Sequence, residues 1–467
     1  MARSVRWLDL VRVLAPMMAL ALDGPGAGIG ALIIQESALW LAARLARPPT
    51  LFLAAYGIRV AAMGPTHYLA RLSDGNGALF QDDYTTDLVA EWLVRIARGE
   101  GISVFPGHQH LLDSSFTYLL MALYAVFGHA PVLPKLLNCA LAALAAVLIF
   151  AIARRAFGAR VAAWTAIGAA AMPTLILWSI VTLKETLVLL VTVAGLWALQ
   201  LLSEKGAVSA TRSADLLVLV LAVTLVCLDL RSTTAALLLL LLGVVLLARM
   251  QVRPGAWRAS LAGLTLLAVV AGGLFFARGH MSNRPPGGVV DDIVLQIRHR
   301  RAQESASART QIRPQVEVLS PQGTELPLVE AASDAAPFSF TADVLDPLGY
   351  ALLAPAPWQA RDLTELAISA EMLVWYVLLA GALFAWRAAP QQRLFLVCLA
   401  AYGVGQWLVL AASEGNLGNL LRHRLMLAPT LLVLGPAGLD WLWQRAGRPG
   451  VARWLSPAVG AGARARS

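Results

Sequence analysis

About ten long apolar runs, separated by short basic or turn-forming stretches, constrain this 467-residue chain more than any other feature. They lie near 51–70, 131–153, 161–178, 182–202, 214–230, 232–248, 259–277, 368–386, 394–412 and 424–444. Crossing a hydrocarbon core about 30 Å thick takes roughly 20 helical residues. In lipid a helix satisfies its own backbone hydrogen bonds, whereas barrel strands would alternate apolar and polar residues. The runs are continuous, so the expected fold is all-α, a polytopic transmembrane helical bundle. Charged residues make up only 14% of the chain, against about a quarter in soluble proteins, which fits that class.

Basic residues give the runs a direction. With the amino end of the first run inside, behind Arg44 and Arg47, one side collects the arginine-bearing turns. These are Arg154, Arg155 and Arg160, then Lys205 with Arg212, then Arg249, Arg253 and Arg258, then Arg387 with Arg393 and the tail. That is the positive-inside pattern, and it puts both termini in the cytoplasm. The net charge of +9 then reflects membrane anchoring and contact with anionic lipid, with no nucleic-acid partner implied.

Three regions follow. Residues 1–48 are expected as a cytoplasmic or partly inserted segment, because Val13 to Leu22 is short, carries Pro16 and runs into Asp23-Gly-Pro-Gly. Residues 49–445 form the membrane domain, and 446–467 a basic cytoplasmic tail. The outer side receives loops 71–130 and 278–367, the turns near 179–181 and 231, and residues 414–423. Within 71–130, Asp87 to Ile96 has amphipathic helical spacing, and 114–127 is expected as a re-entrant or surface helix. The Pro- and Ser-containing part of 278–367 is expected to be mobile.

Polar residues on the expected outer side are the candidates for chemistry. Asp82 and Asp83 follow the first span and supply paired carboxylates, suited to general-base work or equally to opening a helix. Lys184 and Glu185 stand at the outer end of a span, where charges at membrane depth usually face a cavity or one another. Asp229 and Arg231 form a further pair, a phosphate-gripping arginine or a local salt bridge. Arg422, His423 and Arg424 precede the last span. Arginines on the outer side run against the positive-inside rule and so call for an anionic partner, a lipid phosphate or a headgroup. His108 and His110 are too weak a signal for zinc, and no metal site is assigned; a divalent cation is left open. Cys139, Cys227 and Cys398 read as small buried apolar side chains.

Several stretches together resemble bacterial GT-C-type membrane glycosyltransferases, close to the family 39, dolichyl-phosphate-mannose-protein mannosyltransferase-like group. They are Tyr56-Gly-Ile-Arg59, Asp82-Asp83-Tyr84, Leu119 to Gly128, Pro134-Lys-Leu-Leu-Asn138 and Ala153-Arg-Arg-Ala-Phe-Gly158. Trp178-Ser179 with Lys184-Glu185, Leu228-Asp-Leu-Arg231, Leu352 to Trp358, Glu371 to Tyr376 and Arg422-His-Arg424 continue the series. The resemblance covers most of 50–440. It implies a GT-C-like fold in a bacterial inner membrane, a sugar donor carried on polyprenyl phosphate, and transfer on the extracytoplasmic face. The acceptor would be a glycan, lipid or protein. The resemblance also implies that Asp82 or Asp83 activates the acceptor hydroxyl, while Lys184, Arg231, Arg422 and Arg424 hold the leaving phosphate. The family motif is commonly Asp-Glu where this chain has Asp-Asp. An envelope glycan polymerase or ligase is the alternative enzyme; a transporter or flippase of lipid-linked saccharide is the alternative of another class, and it would place polar residues at the midplane.

Overall fold

The computed structural model describes residues 2–45, 49–74, 77–100, 114–204, 210–252, 345–355, 363–414 and 417–446. Among them there is no strand, and seven helices are long and apolar enough to cross a membrane. Six coincide with expected spans: Val132–Phe157, Glu185–Ser203, Arg212–Leu230, Ser232–Arg249, Pro390–Ser413 and Gly418–Arg445. The run 259–277, loop 278–344, residues 101–113 with His108 and His110, and the tail from 447 lie outside the described residues.

The seventh, Pro25–Leu45, lies in the segment expected to be cytoplasmic or partly inserted. Helix α1 (Ala2–Asp23) turns at Gly24 (φ 88°) into α2 (Pro25–Leu45), and the two pack as a hairpin. Gln35 and Glu36 interrupt the apolar run of α2, which hides it in the sequence. Both meet α1: Gln35 Nε2 donates to Arg12 O (3.1 Å), and Glu36 pairs with Arg12 at 2.6 Å. Asp23 at the turn pairs with Arg71 (2.9 Å) and accepts from Val132 N (2.9 Å). The hairpin turn therefore sits where α3 (Pro49–Asp74) ends and α6 (Val132–Phe157) begins.

Between α3 and α6 lie two shorter helices, α4 (Gln81–Ala97) and α5 (Ser115–Phe127). Helix α4 contains the amphipathic stretch read from the sequence. At 13 residues, α5 is too short to span. Tyr124 on α5 donates to Asp87 on α4, and His129 Nε2 lies 3.1 Å from the other Asp87 oxygen.

The expected span 161–178 is broken into α7 (Ala159–Ala171) and α8 (Pro173–Leu177), with Met172 extended between them. Pro173 has no N–H to continue the helical ladder, so carbonyls at the end of α7 need other donors. Arg59, buried on α3, supplies them: Nη2 donates to Ala169 O (2.9 Å) and Nη1 to Ala170 O (3.2 Å). Helices α9 (Glu185–Ser203), α10 (Ala210–Leu230) and α11 (Ser232–Val252) follow. After α12 (Asp346–Leu353) come α13 (Leu363–Ala382), α14 (Arg393–Ser413), α15 (Leu417–His423) and α16 (Ala428–Arg445).

Ion pairs sort the bundle into two ends. Arg155 with Glu204 and Arg160 with Asp440 (2.9 Å) mark one; the pairs around Asp82, Asp83 and Glu185 mark the other.

Candidate active site at one end of the bundle

Helix α4 opens with Asp82 and Asp83 in its first turn, where carboxylates interact favourably with the helix dipole. The two then diverge. Asp83 is 1% exposed, and its Oδ2 accepts from Leu79 N (2.9 Å) while Oδ1 accepts from Thr182 N (2.7 Å). Lys135 Nζ, also buried, stands 3.4 Å from it, donates to Gly77 O and lies 3.3 Å from His67 Nδ1. Asp83 is thus a structural carboxylate joining α4, α6 and the stretch before α9. With both oxygens engaged and almost no exposure, Asp83 sits apart from the solvent that Asp82 meets. Asp82 has an exposed side chain and meets Arg422, with Nη1 donating to Oδ2 at 2.6 Å.

Residues 178–184 run without regular helix into α9, and side chains satisfy their backbone. Asn138 Nδ2 donates to Val181 O (2.6 Å) and Leu183 O (2.8 Å), and Thr186 Oγ1 donates to Trp178 O (3.1 Å). With Asp83 on Thr182 N, these bonds place Lys184 and Glu185 at the α9 start. Non-helical backbone at this depth is stable only when its polar groups are paired in this way.

Glu185 is buried, 3.1 Å from Arg422 Nε and 3.9 Å from His423 Nε2, and its Oε2 accepts no hydrogen bond among the described residues. The Arg422 Nε contact is an ion pair whose angle falls short of a hydrogen bond. His423 Nδ1 lies 2.6 Å from Glu414 Oε1. Arg231 faces Glu185 and Glu414 electrostatically; burial lowers its guanidinium below the usual value despite that attraction. Burial likewise lowers the Lys184 amine, with Glu185 opposing and Arg231 and Arg422 adding repulsion. Burial alone would raise Glu414, but the hydrogen bond and charge of His423 hold it below the usual carboxylate range. Phe80 stacks on Trp178 at 5.3 Å beside Asp82, an aromatic surface at the mouth of the cluster.

Of the residues singled out in the sequence, Asp82, Lys184, Glu185, Arg231, Arg422 and His423 converge at this end of the bundle. Arg424 does not join them. It is 2% exposed, and its guanidinium donates to Ala351 O (3.0 Å) and Ala354 O (2.6 Å) and contacts Met372 Sδ. The reason is helical geometry: two residues on, it faces the opposite side of the turn and braces α12 and α13. Asp229 accepts from Ser115 N (2.9 Å) and holds the start of α5. Among the described residues, no three His, Cys, Asp or Glu side chains are grouped to hold a metal ion. Lys135, Asn138 and Glu414 carry the site and were given no role from sequence. Lys135 and Asn138 stand three residues apart, hence on one face of an otherwise apolar helix; that spacing was the available signal.

An apolar groove of about 740 Å³ opens between α7, α13 and α16. Trp164, Ile167, Val374 and Leu432 line it, with Arg160 and Asp440 at one end and Pro173 and Glu371 at the other.

The comparisons give no family. No protein-family model matches the chain, and no curated protein and no solved structure matches it either. What the site does therefore rests on its own residues.

Proposed function

We propose that this protein is an integral membrane glycosyltransferase. It moves a sugar from a polyprenyl-phosphate carrier to an acceptor hydroxyl on the extracytoplasmic face of a bacterial inner membrane. One observation carries the reading: Arg422 contacts Asp82 at 2.6 Å while its Nε lies 3.1 Å from Glu185. An exposed carboxylate and a cluster of phosphate-competent cations thus meet at one end of a helical bundle.

Those are the parts that direct displacement at an anomeric carbon needs. Asp82 accepts the proton of the acceptor hydroxyl as its oxygen attacks, and the bond from the anomeric carbon to the phosphate oxygen breaks. The charge left on the phosphate is met by Arg422, Arg231 and Lys184, already oriented by Glu185 and Glu414. Cations held in place beforehand stabilise that charge without reorganising during the step. The exposed Phe80 ring offers a face for a sugar ring.

The test is transfer of radiolabelled sugar from a polyprenyl-phosphate donor by purified protein in lipid nanodiscs. Asp82→Asn and Arg422→Ala should each abolish transfer while the protein remains folded and monodisperse. Full activity in Asp82→Asn would overturn the mechanism.

A further inference from the structure

Arg422 is one guanidinium between two carboxylates from different helices, and the two differ in a way that decides which one a ligand can replace. The side chain of Asp82 is 56% exposed; that of Glu185 is 4% exposed. Ion pairs at solvent-exposed positions contribute little and weaken with salt. Taking the partner from a buried carboxylate leaves an uncompensated charge in a low-dielectric setting, which is strongly unfavourable. An anion approaching Arg422 therefore meets an exchangeable contact on one side and a fixed one on the other.

The surroundings reinforce the asymmetry. Glu185 is set at the first turn of α9 by the backbone bonds that Asn138 and Asp83 make to residues 181–183. His423 and Arg231 face it as well. For Asp82, the one side-chain partner among the described residues is Arg422. While Asp82 Oδ2 accepts from Arg422 Nη1, that oxygen is turned toward the guanidinium and closed to an incoming hydroxyl.

We infer that Arg422 is a partner-exchange latch: a phosphate-bearing ligand displaces Asp82 from Arg422, Glu185 stays in place, and the ligand itself releases Asp82 to act as base. Glu185 is then a positioning residue, holding the guanidinium fork toward the phosphate in both states. The fork suits a phosphate better than a single carboxylate oxygen, because it can donate two parallel N–H bonds. The exchange frees Asp82 Oδ2 as the donor binds. This inference rests on the transferase reading above, which supplies the phosphate and the need for a base.

The experiment is equilibrium binding to the full chain in detergent. The probe is farnesyl phosphate, with farnesol as the uncharged control, titrated by calorimetry at low and high salt. If Asp82 competes for Arg422, Asp82→Asn and Asp82→Ser should each bind farnesyl phosphate about fivefold more tightly than the parent. Because the Asp82–Arg422 pair is exposed, the gain should shrink at high salt. Glu185→Gln should weaken binding, and Glu185→Asp should restore part of it, which loss of packing alone would not produce. Farnesol binding should be the same in all variants. Unchanged or weaker binding in both Asp82 variants, with Arg422→Ala still losing the probe, would overturn the latch and leave the transferase reading standing. Binding indifferent to Arg422→Ala would remove the anion site, and both readings with it.

Discussion

Arg422 and Asp82, 340 positions apart in the chain, meet at 2.6 Å at the same end of the bundle as Glu185. The contact joins the first turn of α4 to the end of α15 and brings together residues that the sequence leaves in separate loops. It also divides the paired aspartates, since Asp83, one residue on, points into the protein.

That division predicts opposite phenotypes for two neighbouring substitutions. Asp82→Asn should change stability by less than about 1 kcal/mol, because its ion pair is exposed. Its transfer rate should fall by roughly 10²–10⁴, the usual contribution of a general base. Asp83→Asn should instead lower the unfolding temperature in detergent, since an amide NH₂ would face either the Leu79 or the Thr182 N–H group and Lys135 would lose its charged partner. Thermal unfolding and initial-rate assays on the two variants separate the roles.

Lys135 gives a stability prediction independent of any activity. Lys135→Met leaves the Asp83 carboxylate buried beside no cation and should cost about 3–5 kcal/mol. Combining it with Asp83→Leu should recover only part of the loss, because the unpaired charge is removed but the Leu79 and Thr182 N–H groups are left without an acceptor. If the double variant were as unstable as the single one, the pair would not be the cause.

Helices α13 and α16 cross where Gly381 and Gly438 touch. A Cβ on Gly438 would lie 1.8 Å from Gly381 O, a backbone atom that cannot step aside. Small residues at such crossings let transmembrane backbones approach closely. Gly438→Leu should therefore destabilise by at least about 1–3 kcal/mol, the ordinary overpacking range. Retention of the parent unfolding temperature would contradict the close crossing.

The α4–α5 contact should depend on pH. Burial lowers His129, but the hydrogen bond and charge of Asp87, helped by Glu91 and Asp23, carry it above its ordinary value of 6.5. A raised folded pKa means the contribution is fully present below about pH 6.5 and is lost as pH rises through the raised value. Hydrogen exchange over α4 and α5, corrected for intrinsic rates, should be slower at pH 6 than at about pH 8. His129→Gln should remove the difference, and a difference surviving in that variant would assign it elsewhere.

How far the sequence could be read follows from the range of the interactions involved. The all-helical membrane class was legible because span length and apolarity are local, and six of the expected spans recur as apolar helices. Helix α2 was not legible, because Gln35 and Glu36 look like an interruption until α1 supplies Arg12 to both. The break at Met172–Pro173 carried its own signal in Pro173, but that it could persist at membrane depth depends on Arg59 reaching from α3 to Ala169 and Ala170. For the candidate site, residue type and sidedness singled out Asp82, Lys184, Glu185, Arg231, Arg422 and His423, and tertiary structure grouped them.

By itself, then, the sequence determined that the chain forms apolar helices and that its reactive side chains gather at their ends. Both follow from the solvation of side chains close together in the chain. Only the tertiary structure decided between Asp82 and Asp83, and between Arg422 and Arg424. Adjacent residues on a helix point about 100° apart. Which of them is buried depends on partners from other helices: Lys135 and Thr182 for Asp83, and Ala351 and Ala354 for Arg424.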